Sequence, residues 1–267
     1  VVYHCASTAH EGLSIFSPYE ITKNNYLASV SIFSAAINEK VKRIIFCSSM
    51  ARYGEQKTPF VENMKPLPVD PYAISKVASE DVLINLCELN KIEWVIAVPH
   101  NIIGPRQKYD DPFRNVVSIM INRMLQGKAP IIYGDGNQQR CFSYIDDCLS
   151  CLLPMLDQKN LNKQIINIGP DEEFTSINKI AEICSNITRT NLAPIYKPGR
   201  PREVKHATCS ADKARKFLNY KTTTTLEEGI KKTFDYIKSR GHLPFDYHID
   251  IEINNELTPK TWTKKEI

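Results

Sequence analysis

The sequence predicts an α/β fold in which helices cover both faces of a doubly wound parallel sheet. Strand-like and helical patterns alternate through the first hundred residues, and this alternation is typical of βαβ units. The strand-like runs, such as Ile44–Phe46, are apolar throughout rather than at every second position. Continuous apolar runs are expected where a strand is buried on both faces.

Hydrophobic periodicity predicts the elements in chain order. In the first half, strands are predicted at Val1–His4, Val41–Cys47 and Trp94–Val98, and helices over 27–37 and from Tyr72 to about Asn90. The second half is less regular, with extended segments at Pro130–Tyr133 and Gln164–Ile168 and helices at Val116–Leu125, Asp146–Leu156, Ile177–Ile187, Ala211–Leu218 and Leu226–Lys238. Thr225 and Glu228 form a capping box before the last helix.

The composition is that of a globular protein, since 42% of the 267 residues are hydrophobic and 24% are charged. This balance excludes a disordered or collagenous chain. No apolar stretch approaches the ~18 residues of a membrane span. The net charge is only +4, with Lys and Arg scattered among the acids, so neither a membrane nor a nucleic acid is expected as a partner.

The eight cysteines are spread along the chain, mostly inside apolar runs. We therefore expect reduced, buried thiols and a cytoplasmic protein. Cys148 and Cys151 form one C-x-x-C, but no second pair or suitably spaced histidines complete a zinc site. Because a helix places positions i and i+3 side by side, core packing is favoured over metal or redox chemistry, and no metal is predicted.

Tyr72 and Lys76 are the first candidates for catalysis. On a helix they share a face, so the ammonium can favour the phenolate. Ser49 follows a buried strand, and ligands of doubly wound sheets bind at the carboxyl ends of strands. The same Tyr/Lys spacing occurs at Tyr19 and at Tyr53, so an exposed pair without catalytic function remains an alternative at this point.

Seven segments, in order along the chain and including the residues just named, carry a family resemblance. They are His4-Cys5-Ala6, Asn25, Phe46 to Gly54, Pro71 to Lys76, Asn101 to Arg106, Tyr133 to Gly136 with Arg140, and Gly199-Arg200-Pro201 before Ala211 to Ala214. With these motifs the sequence resembles the extended short-chain dehydrogenase/reductase family, in particular the NAD-dependent nucleotide-sugar epimerases and dehydratases. The resemblance implies a Rossmann-like fold, NAD as cofactor and a nucleotide-diphosphate sugar, with UDP-hexose expected, as substrate.

The resemblance also implies roles for individual residues. Tyr72 corresponds to the catalytic base, Lys76 to its activator and a ligand of the nicotinamide ribose, and Ser49 to the hydroxyl that polarises the substrate. Ala6 and Asn25 match positions that contact the dinucleotide. Positions that hold the sugar nucleotide are matched by Asn101, Asn115, Arg140 and Arg200, together with Ala207. A guanidinium suits a diphosphate because it binds in a bidentate manner, and the small Ala207 would leave room for an N-acetyl group.

The residues around Tyr53 indicate which reaction follows the shared oxidation to a 4-keto sugar. Dehydratases resembling this chain carry an acidic pair where Met50 and Ala51 stand, and neither side chain present here can exchange a proton. The sequence therefore predicts epimerisation through a 4-keto intermediate, with C4 as the expected carbon and with Tyr72 as base assisted by Ser49 and Lys76. A reductase that makes a deoxysugar, and a non-catalytic nucleotide-sugar-binding protein, remain as alternatives.

The resemblance divides the chain into two domains. Residues 1–101 are expected to form a truncated dinucleotide-binding domain to which about 141–163 return, and residues 102–267 a smaller mixed α/β substrate-binding domain, with an irregular C-terminal arm from about residue 242. The first strands of the sheet and their glycine-rich turn are not among these residues, so we expect this polypeptide to bind NAD weakly; tight binding in a titration would refute this. A homodimer through the helices after Asn25 and around Tyr72 is expected, with Phe33, Ile37, Val82 and Leu86 on the outward faces. Burial of these residues under a neighbouring layer of the same chain is the alternative.

Overall fold

A four-stranded parallel sheet is the centre of the fold, in a computed structural model that describes residues 1–267. Its strands, in spatial order, are β1 (Val2–His4), β2 (Arg43–Cys47), β3 (Glu93–Pro99) and, from the second half of the chain, β8 (Gln164–Ile168). All three neighbouring pairs run in parallel. The predicted doubly wound sheet is therefore confirmed, and its carboxyl edge is formed by the residues that follow these strands.

Helices pack on both faces of the sheet because adjacent strand residues point in opposite directions. Ile44 and Phe46 of β2 belong to a core with the helices α3 (Ala28–Asn38) and α4 (Pro71–Asn90). Ile45 faces the other side and packs with α6 (Ile145–Leu152) and α8 (Asp212–Leu218). This two-sided burial explains the continuous apolar run in the sequence.

A second core holds the substrate-side half of the chain. It joins α5 (Val116–Leu125), α7 (Ile177–Thr188) and α9 (Leu226–Arg240) around residues such as Met120, Ile180 and Phe234. Short strands surround this bundle: β4 (Ile102–Ile103), β5 (Ile131–Tyr133), β6 (Gln139–Arg140), β7 (Ser143–Tyr144), β9 (Thr175–Ser176), β10 (Ile195–Lys197) and β11 (His206–Ala207). They form three small sheets, β4–β7, β5–β10 and β9–β6–β11.

Several short elements were not predicted from the sequence. They are α1 (Glu11–Ser14), α2 (Pro18–Thr22), a π-helical turn at Lys23–Leu27, a 3₁₀ turn at Met50–Tyr53, and α10 (Lys260–Thr263). The predicted helix Asp146–Leu156 is α6 followed by a 3₁₀ turn at Leu153–Leu156, because Pro154 cannot donate the hydrogen bond that would continue the helix. Strand β8 lies beyond the segment 141–163 that we expected to return to the first domain.

None of the helices combines the length and the apolar character that a membrane span requires.

The C-terminal arm has little regular structure from residue 242 onward, yet it is packed. Trp262 is only 2% exposed, and it lies with Ile249 and Ile267 in a core that also contains Leu13 and Phe16. The edge of the Phe16 ring meets the Trp262 ring at 6.0 Å between centroids. The arm therefore fixes the α1–α2 segment, whereas the sequence pattern indicated only an irregular surface arm.

The cysteines correct one expectation. All eight are unpaired thiols, and six are buried as expected, including Cys148 and Cys151 in the core beneath the sheet. Cys5, however, is exposed and Cys47 is only partly buried. Both stand at the carboxyl edge of the sheet, where a strand leaves the core.

The capping box before α9 yields a test of stability. The Thr225 hydroxyl accepts a hydrogen bond from the Glu228 backbone N–H, and the Glu228 carboxylate accepts one from the Thr225 N–H. Thr225→Ala should lower the free energy of unfolding by about 1 kcal/mol in urea titrations. Thr224→Ala is the matched control, because only its backbone N–H contacts Asp147; an equal loss in both variants would contradict the capping role.

Candidate active site

Tyr72 lies in the first turn of α4, at the carboxyl edge of the sheet. The helix begins there because the Asp70 side chain accepts a hydrogen bond from the Ala73 N–H at 2.8 Å, and Pro71 occupies the first helical position. Proline is favoured at that position since its missing N–H would have had no partner. The Tyr72 ring is 6% exposed and packs against the core beside Leu13.

Ser49 and Lys76 flank this tyrosine, as the sequence predicts. Ser49 caps the 3₁₀ turn after β2, where its hydroxyl accepts from the Ala51 N–H at 3.2 Å, and its side chain also interacts with the Tyr72 phenol. The Lys76 Nζ atom lies one helical turn after Tyr72, 5.9 Å from the centroid of its ring. The structure therefore brings Ser49, Tyr72 and Lys76 together.

The electrostatics of the tyrosine differ from the sequence-based expectation. Burial raises the pKa of Tyr72 to about 12, although Ser49 and Arg114 act in the opposite direction. The Lys76 ammonium instead donates a hydrogen bond to the Cys47 carbonyl at 2.9 Å and lies over the Phe46 ring. The protein side chains alone therefore leave Tyr72 protonated at neutral pH, because desolvation of the phenolate outweighs the nearby positive charges.

A buried polar network holds the Ser49 turn against α4. Ser48 donates a hydrogen bond to Glu80, whose carboxylate pairs with Arg52 at 2.9 Å. The Arg52 guanidinium also contacts the hydroxyl of Tyr53. Ionic groups so deeply buried are tolerated because each is paired and hydrogen-bonded. Glu80 was not predicted; its position two turns after Tyr72, on the same face of α4, is the signal that could have found it.

The predicted cofactor residues lie beside this cluster. Asn25 is buried in the π-helical turn, where its amide accepts hydrogen bonds from the Ser7 hydroxyl and the Thr8 N–H and donates one to the Thr8 carbonyl. π-turns of this kind are frequent at functional sites. The Asn25 amide thus fixes the segment after β1, and the small Ala6 side chain is exposed there.

The two predicted diphosphate ligands lie close to one another on the substrate side. Arg200 pairs with Glu203 at 2.9 Å and stacks over the Tyr133 ring at 5.1 Å. Arg140 donates to the backbone carbonyls of Val204 and Lys205. Burial lowers the pKa of Arg140, and the nearby Arg200 acts in the same direction. Two guanidinium groups therefore share one rim of the site.

The other predicted substrate residues have different surroundings. The Asn101 side chain donates to the Cys141 carbonyl at 2.8 Å. Asn115 adopts a left-handed conformation (φ 68°) directly before α5 and makes no capping hydrogen bond. Its amide oxygen accepts a hydrogen bond from the Arg114 guanidinium at 3.3 Å, and the residue lines a polar cleft. Ala207 is 5% exposed and lies opposite Arg140 in the β6–β11 register.

Two charged residues near the tyrosine were missed from the sequence. Arg114 precedes Asn115 and lowers the pKa of both Tyr72 and Lys76. Desolvation and the adjacent Asp70 raise the pKa of Glu11 to about 7, while Arg140 and Arg200 lower it. Glu11 thus lies between Tyr72 and the rim formed by Arg140 and Arg200. No motif or periodicity around Glu11 in the sequence indicates this position.

A cleft of about 460 Å³ opens next to these groups, lined by polar residues that include Ser7, Thr8 and Asn115. His10, Asp111 and His248 meet at one side of it. The His10 Nε2 atom is 2.7 Å from the Asp111 carboxylate, and all three ligand atoms lie within 4.8 Å of one another. Imidazole and carboxylate could hold a metal ion. His248, the member of the trio from the C-terminal arm, lies 3.9 Å from the Asp111 carboxylate and makes no hydrogen bond to it.

Comparison with known proteins places this geometry in a family. Residues 1–169 match the model of the NAD dependent epimerase/dehydratase family. The chain belongs to this family. It is 34% identical over 245 residues to a putative UDP-glucose 4-epimerase of Methanocaldococcus jannaschii, which covers 90% of this chain and 78% of the relative. It is also 28% identical to a UDP-N-acetyl-alpha-D-glucosaminuronate decarboxylase of Bacillus cytotoxicus, over 89% of this chain and 76% of that protein.

Solved structures of the family share the fold. The crystal structure of UDP-glucose 4-epimerase with UDP-glucose from Thermotoga maritima superposes with a TM-score of 0.84 at 30% identity, covering 90% of this chain and 77% of that one. NAD is the cofactor of the family. The residues present fit the ribose end of such a dinucleotide, because Lys76 presents an ammonium and Ala6 a small exposed side chain at the same sheet edge.

Lys76 should make stability depend on pH in this family member. Burial lowers its pKa to about 8 from an ordinary 10.5, so the charged form is penalised in the folded state. Below pH 8 the lysine is charged in both states, so the folded chain carries the full penalty. Between pH 8 and pH 10.5 only the unfolded chain binds the proton, so stability rises with pH, and above pH 10.5 both states are neutral and the penalty is gone. Relative to Lys76→Met, the wild-type chain should therefore gain about 1–3 kcal/mol of unfolding free energy across this interval.

Urea unfolding of both chains at a series of pH values measures this difference. Tyrosines and cysteines away from Lys76 titrate alike in both chains and cancel in the comparison. Cys5, whose pKa the Lys76 ammonium lowers, is replaced by serine in both chains. A stability difference that stays constant from pH 8 to pH 10.5 would show that the buried ammonium is not penalised.

Proposed function

We propose that this protein is an NAD-dependent nucleotide-sugar epimerase that inverts C4 of a UDP-hexose through a 4-keto sugar. The observation that carries the proposal is the cluster of Ser49, Tyr72 and Lys76 at the carboxyl edge of a parallel sheet. Family membership and the similarity to 4-epimerases support it. When bound, NAD supplies reversible hydride transfer.

Tyr72 acts as the base for the sugar hydroxyl in this proposal. Its phenol lies beside the Ser49 hydroxyl, which can donate a hydrogen bond to the same sugar oxygen. Because burial holds the Tyr72 pKa at about 12, the tyrosine needs additional positive charge nearby before it can accept a proton at neutral pH. Lys76 and Arg114 are the cations of this chain within reach of that task.

Epimerisation is favoured over elimination because neither of the two residues directly after Ser49 is acidic. Met50 and Ala51 occupy the first positions of the 3₁₀ turn, and neither side chain can donate or accept a proton. Arg140 and Arg200 hold the diphosphate in this proposal, with Asn101 and Asn115 toward the sugar nucleotide. A buried Ala207 beside Arg140 supports a site that admits a substituent at C2.

The decisive experiment incubates protein that contains these residues with UDP-glucose, UDP-N-acetylglucosamine and UDP-glucuronate in separate reactions, each run once with NAD and once with NADPH. Chromatography of the products should show conversion of at least one sugar to its C4 epimer, with no net consumption of NAD or NADPH. Stoichiometric consumption of NADPH would instead identify a reductase. Binding without any turnover would identify a non-catalytic protein.

We further propose a cytoplasmic homodimer. Eight unpaired thiols support a reducing compartment. The expectation for the dimer face needs one change, because Phe33 is fully buried against Phe46 rather than directed outward. Ile37, Val82 and Leu86 are half-buried and remain available on α3 and α4. Light scattering of the protein as it elutes from a size-exclusion column measures its mass directly, and a dimer should give twice the mass of one chain.

A further inference from the structure

Two cysteines occupy neighbouring positions at the carboxyl edge of the main sheet. Strand β1 pairs in parallel with β2, with His4 opposite Phe46, so Cys5 and Cys47 are the next pair in register. Neighbouring strands are about 4.8 Å apart, and residues in register point to the same face. This spacing lies within the Cα–Cα range of disulfides. The two sulfur atoms are already 3.5 Å apart.

Cys5 is chemically distinct from the six buried thiols. A hydrogen bond with the Cys47 thiol lowers the pKa of Cys5 to about 7; burial acts against this and the Lys76 ammonium adds to it. Cys5 is exposed, so its thiolate can meet a reagent. Burial, by contrast, raises the pKa of Cys148 and of Cys184 to about 12. Thiolates, not thiols, are the nucleophiles in exchange reactions.

We propose that Cys5 is a reactive modification site and that small disulfides, such as oxidised glutathione, convert Cys5 and Cys47 into an intramolecular disulfide. The Cys5 thiolate displaces one thiolate from the small disulfide and forms a mixed disulfide. The hydrogen bond with Cys5, burial and the Cys5 charge raise the pKa of Cys47, and adduct formation on Cys5 removes the first and the last of these. Cys47 then loses its proton to solvent, attacks the Cys5 sulfur and releases the second small thiolate. Two protein thiols are oxidised, and one small disulfide is reduced to two thiols.

The location gives the modification its consequence. Ala6 follows Cys5, and the Cys47 carbonyl holds the Lys76 ammonium. An adduct on Cys5, or the bridge itself, would therefore occupy the edge where the dinucleotide is proposed to lie. The effect on turnover rests on the proposed function, whereas the thiol chemistry requires neither dinucleotide nor sugar and is tested without them.

The test uses 5,5′-dithiobis(2-nitrobenzoate) with the folded 267-residue chain. We expect about two equivalents of thionitrobenzoate in a fast phase, at least about tenfold faster than release from the buried thiols. Peptide mass mapping of the wild-type chain should find Cys5 linked to Cys47 and no retained adduct. The mapping needs no substitution, so the result does not depend on a variant that folds.

Variants separate the two steps. Cys47→Ser should release about one equivalent and retain a stable adduct on Cys5, and Cys5→Ser should lose the fast phase. Cys184→Ala, in the buried core of α7, is the control and should keep the fast phase unchanged. The proposal is overturned if Cys5→Ser retains the fast phase, or if wild-type protein keeps its adduct on Cys5 while Cys47 remains free to react with iodoacetamide.

Discussion

Tyr72→Phe should lower kcat by about 10²–10⁴-fold, with KM changed by no more than about threefold. The substitution removes the hydroxyl that takes the proton and keeps the ring that packs beside Leu13. Substrate affinity depends on other groups, so the loss should appear in kcat. Separation of the epimeric UDP-sugars at saturating substrate measures the rate.

Tyr19→Phe is the matched control for this prediction. Tyr19 is followed four residues later by Lys23, whose Nζ lies 6.0 Å from the ring centroid, much as in the Tyr72 pair. Tyr19 is 71% exposed, however, and belongs to α2, whereas Tyr72 is buried at the start of α4. Its variant should retain wild-type kcat. Retention of more than about a tenth of kcat by Tyr72→Phe would exclude the tyrosine as the base.

The second large effect is expected at the arginine rim, where Arg200→Met should weaken binding of UDP about 10- to 100-fold. The Arg200 guanidinium uses Nε and one terminal nitrogen for Glu203. Its other terminal nitrogen stands next to Gly12, about 3.2 Å from where a β-carbon would be. That nitrogen and the remaining N–H groups are available to a phosphate, which guanidinium binds in a bidentate manner.

Calorimetric titration with UDP measures the affinity, and two further variants make the result specific. Arg200→Met combined with Glu203→Gln removes the carboxylate that would otherwise repel the phosphate, so a persisting loss is due to the missing guanidinium. Arg215→Gln removes an arginine that is bound only to acidic residues around α8 and should leave the affinity unchanged. Equal affinity of wild type and the Arg200 double variant would place the diphosphate elsewhere.

The elements of the fold that sequence periodicity predicted well are those whose side chains face a core along their whole length. Helix α5 and strand β8 have the predicted bounds, Val116–Leu125 and Gln164–Ile168, since burial imposes their apolar pattern. The short strands β6 and β11, two residues each, carry no such pattern. Their pairing depends on residues far apart in the chain, which periodicity does not register.

The candidate site likewise contains residues that local spacing predicts and residues that only the fold brings together. Tyr72 and Lys76 are four residues apart on one helix, so their proximity follows from helical geometry alone. Glu11, Arg114 and the pair formed by Cys5 and Cys47 come together only through the order of strands and the docking of α1. Their chemistry could not be derived from spacing, because no local period connects them.

The sequence by itself determined the parallel sheet, the helix that presents Tyr72 and Lys76, and the family to which the motifs point. Only the tertiary structure decided the protonation of those groups. Helical spacing predicted a lysine that favours the phenolate, but burial raises the pKa of Tyr72 to about 12 and lowers that of Lys76 to about 8. The physical reason is that desolvation depends on everything packed around a group, and the neighbours that matter here come from four separate stretches of the chain.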